Sequence, residues 1–475
     1  MNPDAIAPRV DARQAKLAGR AAEQIIADVA ELGWPVGQVL GSESELLERY
    51  GVSRAVLREA IRLVEHQHVA RMRRGTGGGL VVSEPGVDAV ISPAIIYLLR
   101  VQATLDEVFD TRIVLEELVA EIASQRVRET DIASIRETLE REASGSIENY
   151  RLLHSQLAAL SGNPVLELFV EIFGRVGNFH FNDSASFPGD VDLEVRRAHE
   201  AIAKAILTNN AGLARERMTR HLSAEAEFIR QQPATVQRLD PASALAGMPG
   251  DKRGEALARE IFTEILDGDA QPGTFIGSEA TLMTQHQASR AVLREAIRIL
   301  EYQHIALARR GPGGGLFVAA PDITALTDII AIYLRRRGVR PRHIDALRTG
   351  LELAVVERTA PRLSDDGREA IEASLRSEAE NGLALAFSRG EDFHSVLAGL
   401  TGNRALQLVH SVTMRLGWQF FANFAEADKR FEAIARPSVI EPAHRGVADA
   451  LIAGDTELAV MRMRSHMSDT SMHSR

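Results

Sequence analysis

The sequence predicts a mainly α protein with two winged helix-turn-helix domains. Each is mostly helical with a small β-hairpin wing, and each is followed by an all-α helical bundle. Three observations predict this. The chain repeats itself once; each repeat opens with a short helix, a turn and an arginine-studded helix; and the remainder of each repeat has apolar residues at helical spacing.

The repeat is explicit. Ser53-RAVLREAIR-Leu63 returns as Ser289-RAVLREAIR-Ile299, and the match runs on from Val64 and Leu300 through two glycine-rich stretches. Downstream, His154-SQLAALSGN parallels His394-SVLAGLTGN. A period of roughly 235 residues is too long for a solenoid and marks a duplicated multidomain protein. The join is the Pro-, Ala- and Gly-rich stretch Gln231–Asp251, which lacks helical periodicity. Pro85 and Pro321 close the first part of each copy, because proline disfavours helix in the residue before it. The expected domains are a head at 16–85, a bundle at 86–231, a linker at 232–250, a second head at 251–321 and a second bundle at 322–470. Helices are expected over Thr104–Val127, Val191–Asn209, Ala346–Ala360 and Val439–Ala453.

Composition narrows the class. The 475 residues are 45% hydrophobic and 25% charged, as in ordinary globular domains. No cysteine is present, which excludes disulfides, thiolate metal sites and cysteine nucleophiles and suits a reducing, cytoplasmic setting. The N-terminal residues lack the apolar segment of a signal peptide, and no run is long and apolar enough for a membrane span. The net charge of −10 argues against nucleic acid, but a whole-chain sum hides local patches. Between residues 54 and 74 stand Arg54, Arg58, Arg62, Arg71, Arg73 and Arg74, against only Glu59 and Glu65.

Those arginines have an order. Ser42 with Glu45 three residues on is a capping box for a short helix. Gly51-Val52-Ser53 makes a turn, with Ser53 an N-cap for the next helix. On that helix Val56, Leu57, Ala60, Ile61 and Val64 form an apolar stripe, while Arg54, Arg58 and Arg62 share the opposite face. The planar guanidinium grips a guanine edge or a phosphate with two hydrogen bonds. A hairpin follows, with Arg73 and Arg74 beside a glycine-rich tip whose backbone can approach a phosphate closely. Arg290, Arg294, Arg298, Arg309 and Arg310 repeat the pattern. Cap, turn, arginine stripe and wing occur in this order twice, and together they point to double-stranded DNA.

The stretch SRAVLREAIRLVEHQHVARMRRGTGGGLVV resembles the winged helix of GntR-type regulators, and the helical remainder resembles the FCD effector domain of their FadR-like branch. The resemblance implies operator contacts by Ser53, Arg54, Arg58 and Gly75, and by Ser289, Arg290, Arg294 and Gly311. It also implies transcription regulation, most often repression, under a small-molecule, carboxylate-bearing effector. Such regulators act as dimers. Here the pair is either a pseudo-dimer within one chain or a homodimer with four heads. There is a departure from the family pattern. An arginine usually found early in the preceding helix is missing from Gly41-Ser-Glu-Ser44 and from Gly277-Ser-Glu-Ala280. The second copy also loses the capping box, since Thr281 stands where Glu45 stands.

Three histidines per copy fall at helical positions: His154, His199 and His221, then His394, His444 and His466, the last two 22 apart in both copies. A bundle core brings such residues to one level, and three imidazoles can hold a divalent metal such as zinc with a fourth position open. A helical histidine on its own is more often a packing residue. The resemblance implies a metal bound by these histidines and by an aspartate four residues before the first. Those positions hold Tyr150 and Gly390. Glu391 and Asp392 are substitutes in the second copy, whereas Arg151 in the first would repel a cation, so the second copy is expected to keep metal better. Arg112 and Arg348 are effector-binding candidates, although each also stands four residues before a glutamate, Glu116 or Glu352, as in a routine salt bridge. An enzyme is not expected, because no glutamate base at metallohydrolase spacing and no phosphate-binding loop is present. The alternatives are a metal-dependent enzyme or a ligand-binding protein with decayed heads.

Overall fold

The computed structural model describes residues 12–66, 69–73, 75, 77–83, 87–142, 151–178, 189–231, 239, 253–309, 311, 313–427 and 437–471. Arg74, Arg310, Tyr150, Pro85 and all but one residue of the expected linker lie outside them. The chain divides into two units, Met1–Ile91 and Ser92–Arg475.

The first unit runs α1 (Ala12–Glu31), β1 (Val39–Gly41), α2 (Glu43–Tyr50), α3 (Arg54–His66), β2 (Ala70–Arg73) and β3 (Gly79–Val82). The expected apolar stripe of α3 is its buried face: Val56, Leu57, Ala60, Ile61 and Val64 are at most 6% exposed, and the helix packs on α1. Burying a Val, Leu or Ile side chain in this way stabilises by roughly 1.5–3 kcal/mol. The capping box of α2 is present, with Ser42 N donating to Glu45 Oε2 at 2.7 Å. The wing departs from the expected two-stranded hairpin. It is a three-stranded antiparallel sheet of order β1-β3-β2. Strand β1 is too short to show alternation in sequence. It is held close to β3 because Gly79, at φ +152°, has no Cβ, and a Cβ there would lie 2.5 Å from Gly41 O.

The second unit opens with α4 (Asp88–Arg100), whose first residues belong to the other unit, then α5 (Leu105–Arg126), α6 (Glu129–Glu142), α7 (Arg151–Ser161), α8 (Pro164–Asn178), α9 (Gly189–Leu207) and α10 (Ala211–Arg230). Helix α5 is the axis of this bundle and packs on α7, α8, α9 and α10. Thr104 caps its start, accepting from Glu107 N at 3.2 Å. Next come α11 (Arg253–Asp267), β4 (Phe275–Gly277), α12 (Glu279–Gln285), α13 (Arg290–Tyr302), β5 (Ala306–Arg309) and β6 (Gly315–Val318). Their order, and the sheet order β4-β6-β5, match those of the first unit. Ser278 caps α12 through Thr281 N, without the reciprocal bond of a capping box. The chain ends with α14 (Ile323–Arg336), α15 (Pro341–Thr359), a 3-10 turn (Ala360–Arg362), α16 (Asp365–Asn381), α17 (Leu383–Arg389), α18 (Phe393–Leu400), α19 (Arg404–Ala427), α20 (Pro437–Ile452) and α21 (Thr456–Asp469). The four expected long helices are therefore α5, α9, α15 and α20, with ends displaced by a few residues.

Within the second unit the two bundles meet along α5, α8, α15 and α19. The seam is pseudo-symmetric. Asn163 Nδ2 donates to His343 O at 2.9 Å, and Asn403 Nδ2 to Glu107 O at 3.0 Å. Arg358 grips Asp110 with two bonds of 2.7 and 2.8 Å. Arg404 pairs with Glu107, and Arg337 with Glu167 at 2.6 Å. Arg100, at the end of α4, donates to the carbonyls of His304 and Ala319 and so ties the first bundle to the β-sheet head inside this unit.

Candidate functional site

Two kinds of site can be built from these elements. The first is the outer face of α3 and of α13. Ser53 and Ser289 cap the two helices through the amides of Val56 and Val292. That fixes Arg54, Arg58 and Arg62, and Arg290, Arg294 and Arg298, on faces opposite the core, and all six are exposed. Their neighbours are acids on the preceding helix or on the same one. Arg58 lies 3.4 Å from Glu43, Arg62 bonds Glu59 at 3.0 Å, and Arg290 and Arg294 share Glu279 at 3.2 and 3.4 Å. Exposed pairs of this kind are worth little, so a phosphate or a guanine edge can replace the carboxylate. At the wing, Arg73 donates to Gly77 O at 2.9 Å, and Arg309 stacks over the Phe317 ring at 4.3 Å. Gly75 and Gly311 are exposed at φ +100° and +98°, which only glycine adopts freely.

The second site occurs once in each bundle. His154 on α7, His199 on α9 and His221 on α10 are buried together, with ring nitrogens within 4.8 Å of one another. His199 Nε2 lies 3.0 Å from His221 Nε2. In the second bundle His394 on α18, His444 on α20 and His466 on α21 bring all three Nε2 atoms to 3.1, 3.2 and 3.3 Å. Carboxylates stand behind the rings. Glu142 bonds His199 Nδ1 at 2.7 Å and Glu116 bonds His154 Nδ1; Glu378 bonds His444 Nδ1 at 2.8 Å, and Glu352 lies 2.9 Å from His394 Nδ1. A carboxylate on Nδ1 fixes the tautomer that leaves an Nε2 lone pair pointing inward, as in histidine-held metal centres.

The electrostatics of the two clusters differ. Burial alone would raise the Glu116 carboxyl, but Arg112 and His154 outweigh it and hold it down at about 2. Burial disfavours the charged form of His154, yet Glu116 pushes its pKa above the usual value. Burial, then His199 and His154, put His221 well below its ordinary value. In the second cluster burial is again the main cause, lowering His444 against the pull of Glu378 and lowering His466 still further. Neutral rings are the metal-binding form.

The FCD domain family matches residues 107–224 and again 344–469, and the gntR family of bacterial regulatory proteins matches residues 17–80. This chain belongs to the FCD family and carries a gntR-type head. The Uxu operon regulator of Haemophilus influenzae is 26% identical over 211 residues, covering 41% of this chain and 75% of that protein. The HTH-type transcriptional repressor NanR of Citrobacter rodentium is 24% identical over 232 residues, covering 46% and 87%. Among solved structures, a GntR protein of Streptococcus agalactiae superposes with a TM-score of 0.36 at 20% identity, covering 44% of this chain and 99% of that one.

Against that family pattern, the FCD bundles bring together all six expected histidines but not the expected substitutes for the missing aspartate. Glu391 is turned away to Ser377 Oγ at 2.8 Å and Arg389 at 3.9 Å. Asp392 caps α18 through Ser395 N, and Gly390 is the left-handed C-cap of α17. Arg151 does not face the first cluster as a bare cation, since it lies 3.8 Å from Glu171. Arg112 is in the salt bridge the spacing suggested, 2.7 Å from Glu116, and is also 3.4 Å from Glu225 on α10. Among the described residues Arg348 forms no such bridge, and its buried Nε has no hydrogen-bond partner. Sequence reasoning missed the supporting carboxylates Glu142 and Glu378, the buried His410, which reaches Glu352 at 3.2 Å, and Glu225. Glu142 and Glu378 carried one usable signal, since they occupy matching places in the two copies.

Proposed function

We propose that the chain is a transcription regulator with two DNA-reading heads, one in each copy of a duplicated head-and-bundle unit. The observation that carries this reading is the outward arginine face repeated on α3 and α13. Each face enters a major groove with its first turns, Arg54, Arg58, Arg290 and Arg294 reading base edges or phosphates and the wing glycines Gly75 and Gly311 lying against the backbone. The relatives' names support regulation, and NanR's supports repression. The pseudo-symmetric seam favours a pseudo-dimer inside one chain over a homodimer with four heads. Because the heads differ, the operator need not be a perfect palindrome.

In the bundles, each histidine cluster fits a divalent metal such as zinc, because convergent Nε2 atoms backed by carboxylates on Nδ1 are a metal-binding donor set. His154, His199 and His221 would hold one ion, and His394, His444 and His466 another; a bound ion would supply an open Lewis-acid position for a small carboxylate effector. The second cluster holds metal better than the first, where Glu116 beside His154 favours the protonated ring and so competes with an ion. Arg112 and Arg348 are the cations that act on His221 and His466, and are the candidates for meeting such an effector where no carboxylate of the chain already pairs them. Effector binding alters DNA affinity only so far as it favours one arrangement of the heads over another. Among the described residues no helix is long and apolar enough to cross a membrane.

Selection of binding sites from random DNA tests the reading. The full chain is expected to enrich two unequal half-sites, with Arg58→Ala and Arg294→Ala each relaxing a different one. No enrichment at low salt would overturn it.

A further inference from the structure

The two bundles align helix by helix, and the alignment shows an exchange around one arginine. In the first bundle Arg112 is paired with two carboxylates. Its Nε bonds Glu116 at 2.7 Å, and an Nη lies 3.4 Å from Glu225 Oε2. The other oxygen of Glu225 lies 3.4 Å from His221 Nε2. Glu225 thus places a carboxylate between the arginine and the histidine cluster. It also lines, with His221, a cavity of about 420 Å3 between α9 and α10 that Arg112 does not reach. An anion entering there meets a like charge first.

In the second bundle both partners of the arginine are gone. Thr470 stands where Glu225 stands, and its hydroxyl is turned back on its own helix, bonded to His466 O at 2.8 Å. Glu352, the counterpart of Glu116, is drawn away to His410 and His394 at 3.2 and 2.9 Å. His410 occupies the place of the buried Val170. Arg348 is left with a buried Nε that nothing accepts, close enough to His466 to disfavour its protonation. A buried guanidinium Nε without an acceptor is costly, and an incoming anion relieves it.

We propose that the second bundle alone takes an exogenous small carboxylate, held between Arg348 and His466, in the position that Glu225 fills from within the first. The first bundle is a self-liganded copy that stays in one state. A carboxylate is the matching class because one of its oxygens meets the guanidinium while the other turns toward the histidine cluster, as the two oxygens of Glu225 do. The inference rests on the effector reading given above.

Calorimetric titration of the full-length, zinc-loaded chain with malonate tests it. One malonate is expected per chain, at least tenfold weaker in Arg348→Gln and absent in Thr470→Glu. Glu225→Thr is expected to open a second site. Persistence of the site in Thr470→Glu, two sites in the unaltered chain, or no malonate binding by any variant overturns the proposal. A DNA shift assay on the same preparations reports separately on the regulator reading, and retained DNA binding shows that each variant has folded.

Discussion

Asn403 on one bundle donates its side-chain amide to the backbone carbonyl of Glu107 on the other, at 3.0 Å. Asn163 returns the contact to His343 O at 2.9 Å, from the matching place in the first copy. Both asparagines are buried, at 4% and 3% exposure, so their amides are paired by protein rather than by bulk water. Asn163→Ala and Asn403→Ala are each expected to destabilise the second unit by about 1–3 kcal/mol. Thermal unfolding followed by circular dichroism checks this. An unchanged melting temperature in both variants would show that the seam does not hold the bundles together.

The arginine faces make a graded prediction. Arg58→Ala and Arg294→Ala should each weaken binding to a selected operator by about 1–3 kcal/mol and relax preference at one position. Arg309→Ala, on the wing strand β5, should weaken all sequences alike and reduce the salt slope by about 1. Fluorescence anisotropy across a salt series separates the two behaviours, and equal behaviour of all three would count against base reading.

Removal of metal should matter more to the second cluster. Glu378→Gln replaces the charged acceptor of His444 Nδ1 by a neutral amide and should cost about 10–100-fold in zinc affinity. Competition with a chromophoric chelator measures it. His444→Ala should lower the bound zinc per chain more than His199→Ala does, and the reverse order would refute the ranking of the two sites.

The wings depend on one missing atom. A Cβ at Gly79 would sit 2.5 Å from Gly41 O, and one at Gly315 the same distance from Gly277 O. Gly79→Ala and Gly315→Ala are expected to destabilise their heads by more than about 1 kcal/mol. Faster amide exchange in β1 and β3, or in β4 and β6, is the signature.

The heads were nearly complete in the sequence, because caps, turns and the apolar stripe of α3 are local signals. The third strand was not, because Val39–Gly41 joins β3 through a close glycine approach that no short-range pattern encodes. The histidines were legible by recurrence. Their supporting acids were not, since Glu142 reaches His199 across 57 positions of chain. Recurrence also misled. It made Arg112 and Arg348 look equivalent, while their surroundings were decided by Glu225, Thr470 and His410 on other helices.

In a pair of identical subunits, one codon change alters both sides of a two-fold boundary at once. Here Asn163 and Asn403 are encoded separately, and so are the residues around Arg112 and Arg348. Each side can drift while the other stays put. In the pseudo-dimer proposed above, the two halves stay joined in one chain and cannot be exchanged between neighbouring molecules.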